Sequence, residues 1–319
     1  MLEVISPSAL TTIQDAGRRG WQAYGVPVSG PMDAFAHRAA NLLVANPPEA
    51  AALEIGYSSA AFLAQADCLI AATGPGFALL VNERPMRMWT SIYVRKNGRI
   101  QLEKTGAGNW ATLAIHGGIQ TKLALGSRAT YLRAQLGADS ARPLQTGDLL
   151  PIGQVSHPLL NLASRTMAPV IDYSPNPTIH VILGPQQAHF THSALRTFLS
   201  STYTISPTSD RTGYRVNGPA LGYVTSGELI SEGMARGCIQ IPADGLPIVM
   251  QADCPTTGGY PKIASVISAD QPVLAQVPIG TGQIRFTETT IEKAQARYRE
   301  LMTGLEKSIL QPATYDYSW

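Results

Sequence analysis

Cysteine is scarce in this chain: three in 319 residues, Cys68, Cys238 and Cys254, with no CxxC pair. So odd and scattered a set argues against a disulfide framework and a zinc site, and suits a reducing, cytoplasmic setting. Cys68 and Cys238 sit in apolar, strand-like runs and read as small core residues, while Cys254 borders a polar turn and reads as a bystander or a reactive thiol. An excess of one charge is missing too. Lys+Arg 24 against Asp+Glu 22 leave a formal +2, without a long run of either sign. Nucleic acid is therefore not expected as the partner, because phosphate-backbone recognition needs a basic stripe. No apolar span reaches the ~18 residues that suggest a membrane helix. The first residues also lack a basic segment followed by an apolar one, so neither membrane insertion nor export is expected. Four chemical signatures are absent: the GxxxxGK[ST] phosphate loop, the GxSxG elbow, HExxH and the dinucleotide fingerprint. Motif alone thus supports no self-contained ATPase, serine hydrolase or metalloprotease.

What remains is an apolar, turn-rich chain. Hydrophobic residues make up 45% and charged residues 14%, enough for a sizeable core. Glycine (29) and proline (23) are spread throughout, which suits many short strands joined by turns. Strand-like runs are 69–72, 91–94, 110–115, 179–183, 238–241 and 283–286. Helices are few. One spans Met32 to Val44 after Gly30-Pro31, a second starts near Thr191, and a third opens on the capping box Thr289-x-x-Glu292. The segment after Gln311 reads as a frayed tail. The expected fold is mainly β with a few helices, in two β-barrel-like units, 1–156 and 178–319. The Pro-, Ser- and Asn-rich stretch 157–177 would be the linker.

Polar residues cluster in four places. Thr256-Thr257-Gly258-Gly259-Tyr260-Pro261-Lys262 lies between two apolar runs, so the glycines can bring backbone N–H groups close to a ligand and Lys262 can offset an anion. Taken alone, the same residues read as a hairpin loop with a solvated lysine. Asp15-Ala16-Gly17-Arg18 and Ser29-Gly30-Pro31-Met32-Asp33 precede a helix start, a place that attracts anions, although Asp15 and Arg18 can equally cap a turn or pair. His116-Gly117-Gly118 ends a strand, with His116 either a proton carrier or a satisfied core histidine. Asp210-Arg211-Thr212-Gly213-Tyr214-Arg215 offers two arginines for a carboxylate or phosphate, or simply two solvated ones. His189 and His192 lack a third ligand and are assigned no metal.

Together with Ala51-Ala52-Leu53-Glu54-Ile55 and Gly237-x-Ile239-Gln240-Ile241-Pro242, these blocks resemble the KipA-type family, also called allophanate hydrolase subunit 2, in family order over nearly the whole chain. The family includes the C component of bacterial 5-oxoprolinase. The resemblance implies cyclophilin-like barrels and a heteromer with two further proteins, the KipI-type B component and the A component of 5-oxoprolinase. It implies ATP-driven opening of 5-oxo-L-proline to L-glutamate, with ATP and Mg²⁺ as co-substrates. Two alternatives stay open: a carboxyltransferase component of a biotin-dependent urea carboxylase-like system, and a non-enzymatic regulator binding a KipI-type inhibitor. On the ATP-dependent reading, Lys262, Arg211 and Arg215 supply positive charge and Thr256, Thr257, Gly258 and Gly259 supply donors. Asp15 joins Lys262 and Arg211 as a catalytic candidate, and Ser29, Asp33, His116, Gly117 and Gly118 are binding candidates. Asp15, Asp33 or Glu54 would hold Mg²⁺. The chain departs from the family pattern at Cys254-Pro255, where Arg-Gln is frequent, and around Leu136-Gly137-Ala138-Asp139, where the double glycine is incomplete.

Overall fold

The computed structural model describes residues 1–137, 141–154, 157–168, 170–224 and 229–310; Ala138, Asp139 and the segment after Gln311 lie outside them. Each apolar run read as a strand is one: Cys68–Thr73, Ser91–Val94, Trp110–Ile115, Thr178–Leu183, Cys238–Gln240 and Gln283–Glu288. The first half forms two antiparallel sheets. One runs Leu149–Leu150, Leu2–Ser6, Ala60–Ala64, Arg99–Lys104, Phe77–Val81, Arg84–Met86; the other runs Leu10–Gln14, Ala52–Gly56, Trp110–Ile115, Cys68–Thr73, Ser91–Val94. They share a core in which Val4, Phe62 and Ile100 meet Ile13, Leu53 and Leu113. Trp110–Ile115 and Ala52–Gly56 are buried at every position because helices cover the outer face of their sheet. These are α1 (Ala34–Leu43) and the last helix, α4 (Ile291–Lys307), which lays Leu301 and Leu305 against the same cluster as Phe35, Ala39 and Leu43. Strand Thr166–Met167, from the stretch read as linker, pairs with Ile309–Leu310 beside them.

The second half closes a seven-stranded barrel in the order Thr178–Leu183, Lys262–Val266, Cys238–Gln240, Ile248–Met250, Gly213–Asn217, Thr202–Ile205, Gln283–Glu288. Its inside is filled by Ile179, Tyr203, Tyr214, Ile239, Val249 and Phe286. Phe198 of helix α2 (His192–Ser200) plugs one end, stacked on Phe286 at 4.6 Å between ring centres. The barrel core also takes in Met32 and Trp110 from the first half, so the two halves share apolar contact. Polar groups seal that seam. Asn109 donates to the carbonyls of Ala275 and Val277 at 2.9 and 2.7 Å, and Gln276 Nε2 donates to Asp33 Oδ2 and the Trp110 carbonyl at 2.8 and 2.9 Å.

Three local expectations need correction. The cap of α4 is Thr290, not Thr289: the Thr290 hydroxyl accepts from Lys293 N. A short helix, α3 (Gln271–Gln276), escapes the periodicity because six residues are under two turns; its sign is Pro272 in the first turn. Thr256 to Lys262 is no hairpin. Ile248–Met250 and Lys262–Val266 are not neighbours, since Cys238–Gln240 lies between them and pairs with both. The cysteines form no disulfide; Cys254 is buried, and Cys68 and Cys238 are partly buried, Cys68 packed against the core of the two sheets.

Candidate active site

The loop between strand Leu10–Gln14 and α1 is folded back by its glycines. Gly17 has φ +85°, and a Cβ there would lie 2.5 Å from the Val28 carbonyl, while Arg18 N donates to that carbonyl at 2.8 Å. This closure carries Ser29 to Asp33 against the barrel. Asp33 then caps α1 by accepting from Ala36 N at 2.8 Å.

Arg211 is the hub of the seam. Its Nε and Nη2 donate to Asp253 at 2.8 and 3.1 Å, Nη1 bonds Glu54, and Nη2 also donates to the Gly30 carbonyl at 2.7 Å. Glu54 in turn accepts from Met32 N at 2.6 Å. Burial by itself would lower Arg211, but the two carboxylates outweigh it and hold the guanidinium above its ordinary range. Each nitrogen of Arg211 is engaged inside the protein, although the residue borders a cavity of about 690 Å³ beside Asp253; Arg215, exposed on the barrel strand, does not border that cavity. Asp15 is equally committed: it accepts from Gly17 N at 2.9 Å, and from Ser127 Oγ and Arg128 N, both at 2.5 Å.

The three acids expected to hold Mg²⁺, Asp15, Asp33 and Glu54, are thus engaged separately by internal donors and do not converge. Among the described residues no group of three or more His, Cys, Asp or Glu side chains could hold a metal ion. Among the described residues, Asp15, Asp33 and Glu54 therefore do not form a shared oxygen cage of the kind that holds Mg²⁺ by protein ligands alone.

His116-Gly117-Gly118 lies elsewhere. His116 Nδ1 is 2.7 Å from the Val44 carbonyl, at the far end of α1 from Asp33, and Gly117 N donates to Asn46 Oδ1 at 2.8 Å. A helix of that length puts ~15 Å between its ends. The segment thus fastens the helix C-terminus to the sheet.

Thr256, Thr257 and Lys262 do meet, with Ser29 in the adjoining cavity. Two adjoining cavities share Gln22, Met234, Ala235 and Thr256. One, of about 640 Å³, is bordered by Thr256, Thr257 and Lys262; the other, of about 420 Å³, by Ser29, His37, Arg38 and Arg236. Lys262 Nζ donates to Glu232 Oε2 at 2.8 Å, and Gln186 Nε2 holds the same oxygen at 2.8 Å. That lysine draws the Glu232 carboxylate below its usual range. Gly258 is small for packing rather than for ligand approach: a Cβ there would sit 2.5 Å from both Gln240 Nε2 and Met234 Cε. Thr257–Gly258 pairs with Glu232–Gly233, and the Gly259 carbonyl accepts from Leu229 N at 2.9 Å. Cys254 borders the smaller cavity, where burial pushes its thiol up to about 11; at neutral pH it is not a thiolate.

Two residues of this region carry no signal in the sequence, Arg236 and His37. Arg236 lies inside a long block that reads only as strand ends, and His37 looks like one more position of an apolar helix stripe. Burial lowers His37 to about 4. The imidazole is 2% exposed and neutral at physiological pH. Unfolded, it titrates near 6.5, so between there and 4 the unfolded chain binds the extra proton. Stability is then expected to be intact above pH 6.5 and to fall by up to about 3 kcal/mol as pH drops to 4. Urea midpoints measured at half-unit steps test this: His37→Gln should flatten the slope in that window, and an unchanged slope counts against the burial argument.

The carboxyltransferase domain family, subdomains A and B, matches residues 24–288. The chain belongs to that family. Among its curated members, the chain is 34% identical to the 5-oxoprolinase C component of Escherichia coli (strain K12), covering 94% of this chain and 97% of that protein. It is 31% identical to the protein of the same name from Haemophilus influenzae, covering 92% and 93%. The carboxyltransferase fold also matches the crystal structure of the K. lactis urea amidolyase, with a TM-score of 0.89 and 25% identity, over 97% of this chain and 20% of that one. The chain therefore spans about a fifth of that larger enzyme. None of the helices among the described residues is long and apolar enough to cross a membrane.

Proposed function

We propose that this chain is the C component of an ATP-dependent 5-oxoprolinase, acting with an A component and a KipI-type B component in the cytoplasm. The observation that carries the reading is the 34% identity to a protein of that name across nearly the full length of both chains. A lactam carbonyl is a poor electrophile. Transfer of the terminal phosphoryl group of ATP to the lactam oxygen releases ADP and leaves a phosphorylated imidate. Water then adds to its carbon, the C–N bond opens with a proton passing to the nitrogen, and the γ-glutamyl phosphate so formed is hydrolysed by a second water to glutamate and phosphate. Such chemistry rests on positioning and charge stabilisation rather than on covalent help from the protein. In this reading Lys262 supplies positive charge and Thr256 and Thr257 supply donors at the larger cavity. ATP would be a co-substrate of the complex, and any Mg²⁺ would come with its phosphates rather than be held by Asp15, Glu54 or Asp33, which are internally engaged. We take 1–156 and 178–319 as two units whose junction forms the cleft, the first contributing Ser29 and the second Lys262.

A second reading, a carboxyltransferase component of a biotin-dependent urea carboxylase-like system, is favoured by the fold likeness to urea amidolyase. Reconstitution separates the two. Mixed with the A and B components, the chain should release glutamate from 5-oxoproline only when ATP is present. Absence of glutamate, with urea carboxylated once a carboxybiotin carrier is supplied, would place the chain in the second class.

A further inference from the structure

Strand Thr178–Leu183 runs out into Gly184-Pro185-Gln186, and this segment is pressed onto the strand that begins at Lys262. Gly184 N donates to the Ile263 carbonyl at 2.7 Å, and a Cβ on Gly184 would lie 2.2 Å from the Lys262 carbonyl, so the approach requires glycine. Gln187 N closes a turn onto the Gly184 carbonyl at 3.1 Å, which fixes Gln186 between them at 9% exposure. Gly184 and Pro185 themselves border the larger cavity. The Gln186 amide then spans the ion pair. Its Nε2 donates to Glu232 Oε2 at 2.8 Å, the oxygen that also accepts from Lys262 Nζ, and its Oε1 accepts from Lys262 N at 3.3 Å. An amide presents a donor at one end and an acceptor at the other, which neither a carboxylate nor an apolar group of that length does. Glu232 needs the hold: its side chain is 49% exposed, and keeping two long, exposed side chains in one geometry costs entropy. Lys262 first, then Gln186 and His189, keep the Glu232 carboxylate below its usual range.

We propose that Gln186 is a positioning residue: by tying Glu232 Oε2 and the Lys262 backbone to one amide, it holds the Lys262 ammonium in a single place at the wall of the larger cavity. That the ammonium there offsets charge on a transferring phosphoryl group rests on the function proposed above; the hold itself does not.

Two variants and a control test it. Gln186→Met keeps the length and loses both polar ends. Gln186→Glu sets a second carboxylate against that of Glu232; as pH falls the two share a proton, and the O–H so formed donates where the amide N–H did. In the reconstituted complex at pH ~8, kcat for glutamate release should fall ~10–100-fold in both variants, the scale of a lost hydrogen bond to a charged group, with little change in KM for ATP. Taken as a ratio to the unaltered chain at each pH, which cancels any effect of protonating His189, the Gln186→Glu loss should shrink toward pH ~5 and the Gln186→Met loss should not. Gln187→Ala, at the exposed neighbour, should change nothing. The isolated chain gives a readout that needs no catalysis. Acetylation by an N-hydroxysuccinimide ester, followed by peptide mass spectrometry, should label Lys262 faster in Gln186→Met than in the unaltered chain, with the other lysines unchanged. If Gln186→Met fails to fold, Gln186→Glu and its acid recovery carry the comparison. Full kcat in Gln186→Met, no acid recovery in Gln186→Glu, or unchanged labelling of Lys262 would each overturn the assignment. Faster labelling in a chain whose unaltered complex releases no glutamate would keep the hold and remove the 5-oxoprolinase reading.

Discussion

Arg211→Met is expected to destabilise the chain by about 3–5 kcal/mol, a large share of what holds a domain of this kind together. The substitution leaves Glu54 and Asp253, at 2% and 5% exposure, as buried carboxylates without their counter-charge. It also removes the clamp on the Gly30 carbonyl, which orients the loop feeding α1. The loss should therefore show in the isolated chain, without substrate or partners, as a fall in the urea midpoint. A double-mutant comparison isolates the cause. Arg211→Met with Glu54→Gln should recover part of the loss, because one of the two stranded charges is gone. A chain with Arg211→Met that melts normally yet fails in the complex would return Arg211 to the chemistry, against its full set of internal partners.

Arg211 also marks a limit of what local sequence can tell. Apolar runs such as Trp110 to Ile115 are legible as strands because burial on both faces leaves no polar alternation to misread. The helix read from Met32 to Val44 is legible from its apolar stripe, but it begins at Ala34 behind the cap Asp33, so Pro31 precedes the first turn instead of opening it. Arg211 is not. An arginine followed by Thr-Gly-Tyr reads as an anion grip or as a solvated cation, and only the long-range approach of Glu54 and Asp253, 157 and 42 residues away, buries it in an ion pair. His116-Gly117-Gly118 leaves two readings open in the sequence, and the contact of the histidine with the carbonyl that ends α1 matches the satisfied core histidine. Arg236 and Ser29, 207 residues apart by number (236 − 29), come together through tertiary folding alone, which no local pattern records. Lys262, Thr256 and Thr257 stand out in the sequence and also meet at one cavity, because seven consecutive residues carry them.

Lys262→Met is the second large effect, and it should be kinetic. The Lys262–Glu232 pair lies at a rim, with the Glu232 side chain 49% exposed, so water screens it and breaking it should barely move the urea midpoint. The methionine keeps an apolar stem of similar length at the cavity wall. If Lys262 offsets charge on a transferring group, kcat for glutamate release should drop ~10²–10³-fold, the scale of a lost stabilising donor, with little change in KM for ATP. Glu232→Gln sharpens the test. It leaves the ammonium without its counter-ion but in place, held by the Gly233 carbonyl, 3.4 Å from Nζ, and by the backbone bond from Lys262 N to Gln186 Oε1. Its kcat should fall far less than that of Lys262→Met. Equal losses in the two variants would mean that the pair itself, rather than the lysine charge, matters. Then the bond between the barrel strand at Lys262 and the short strand Glu232–Gly233 would be a structural tie, and the donors at Thr256 and Thr257 would have to carry the charge stabilisation alone.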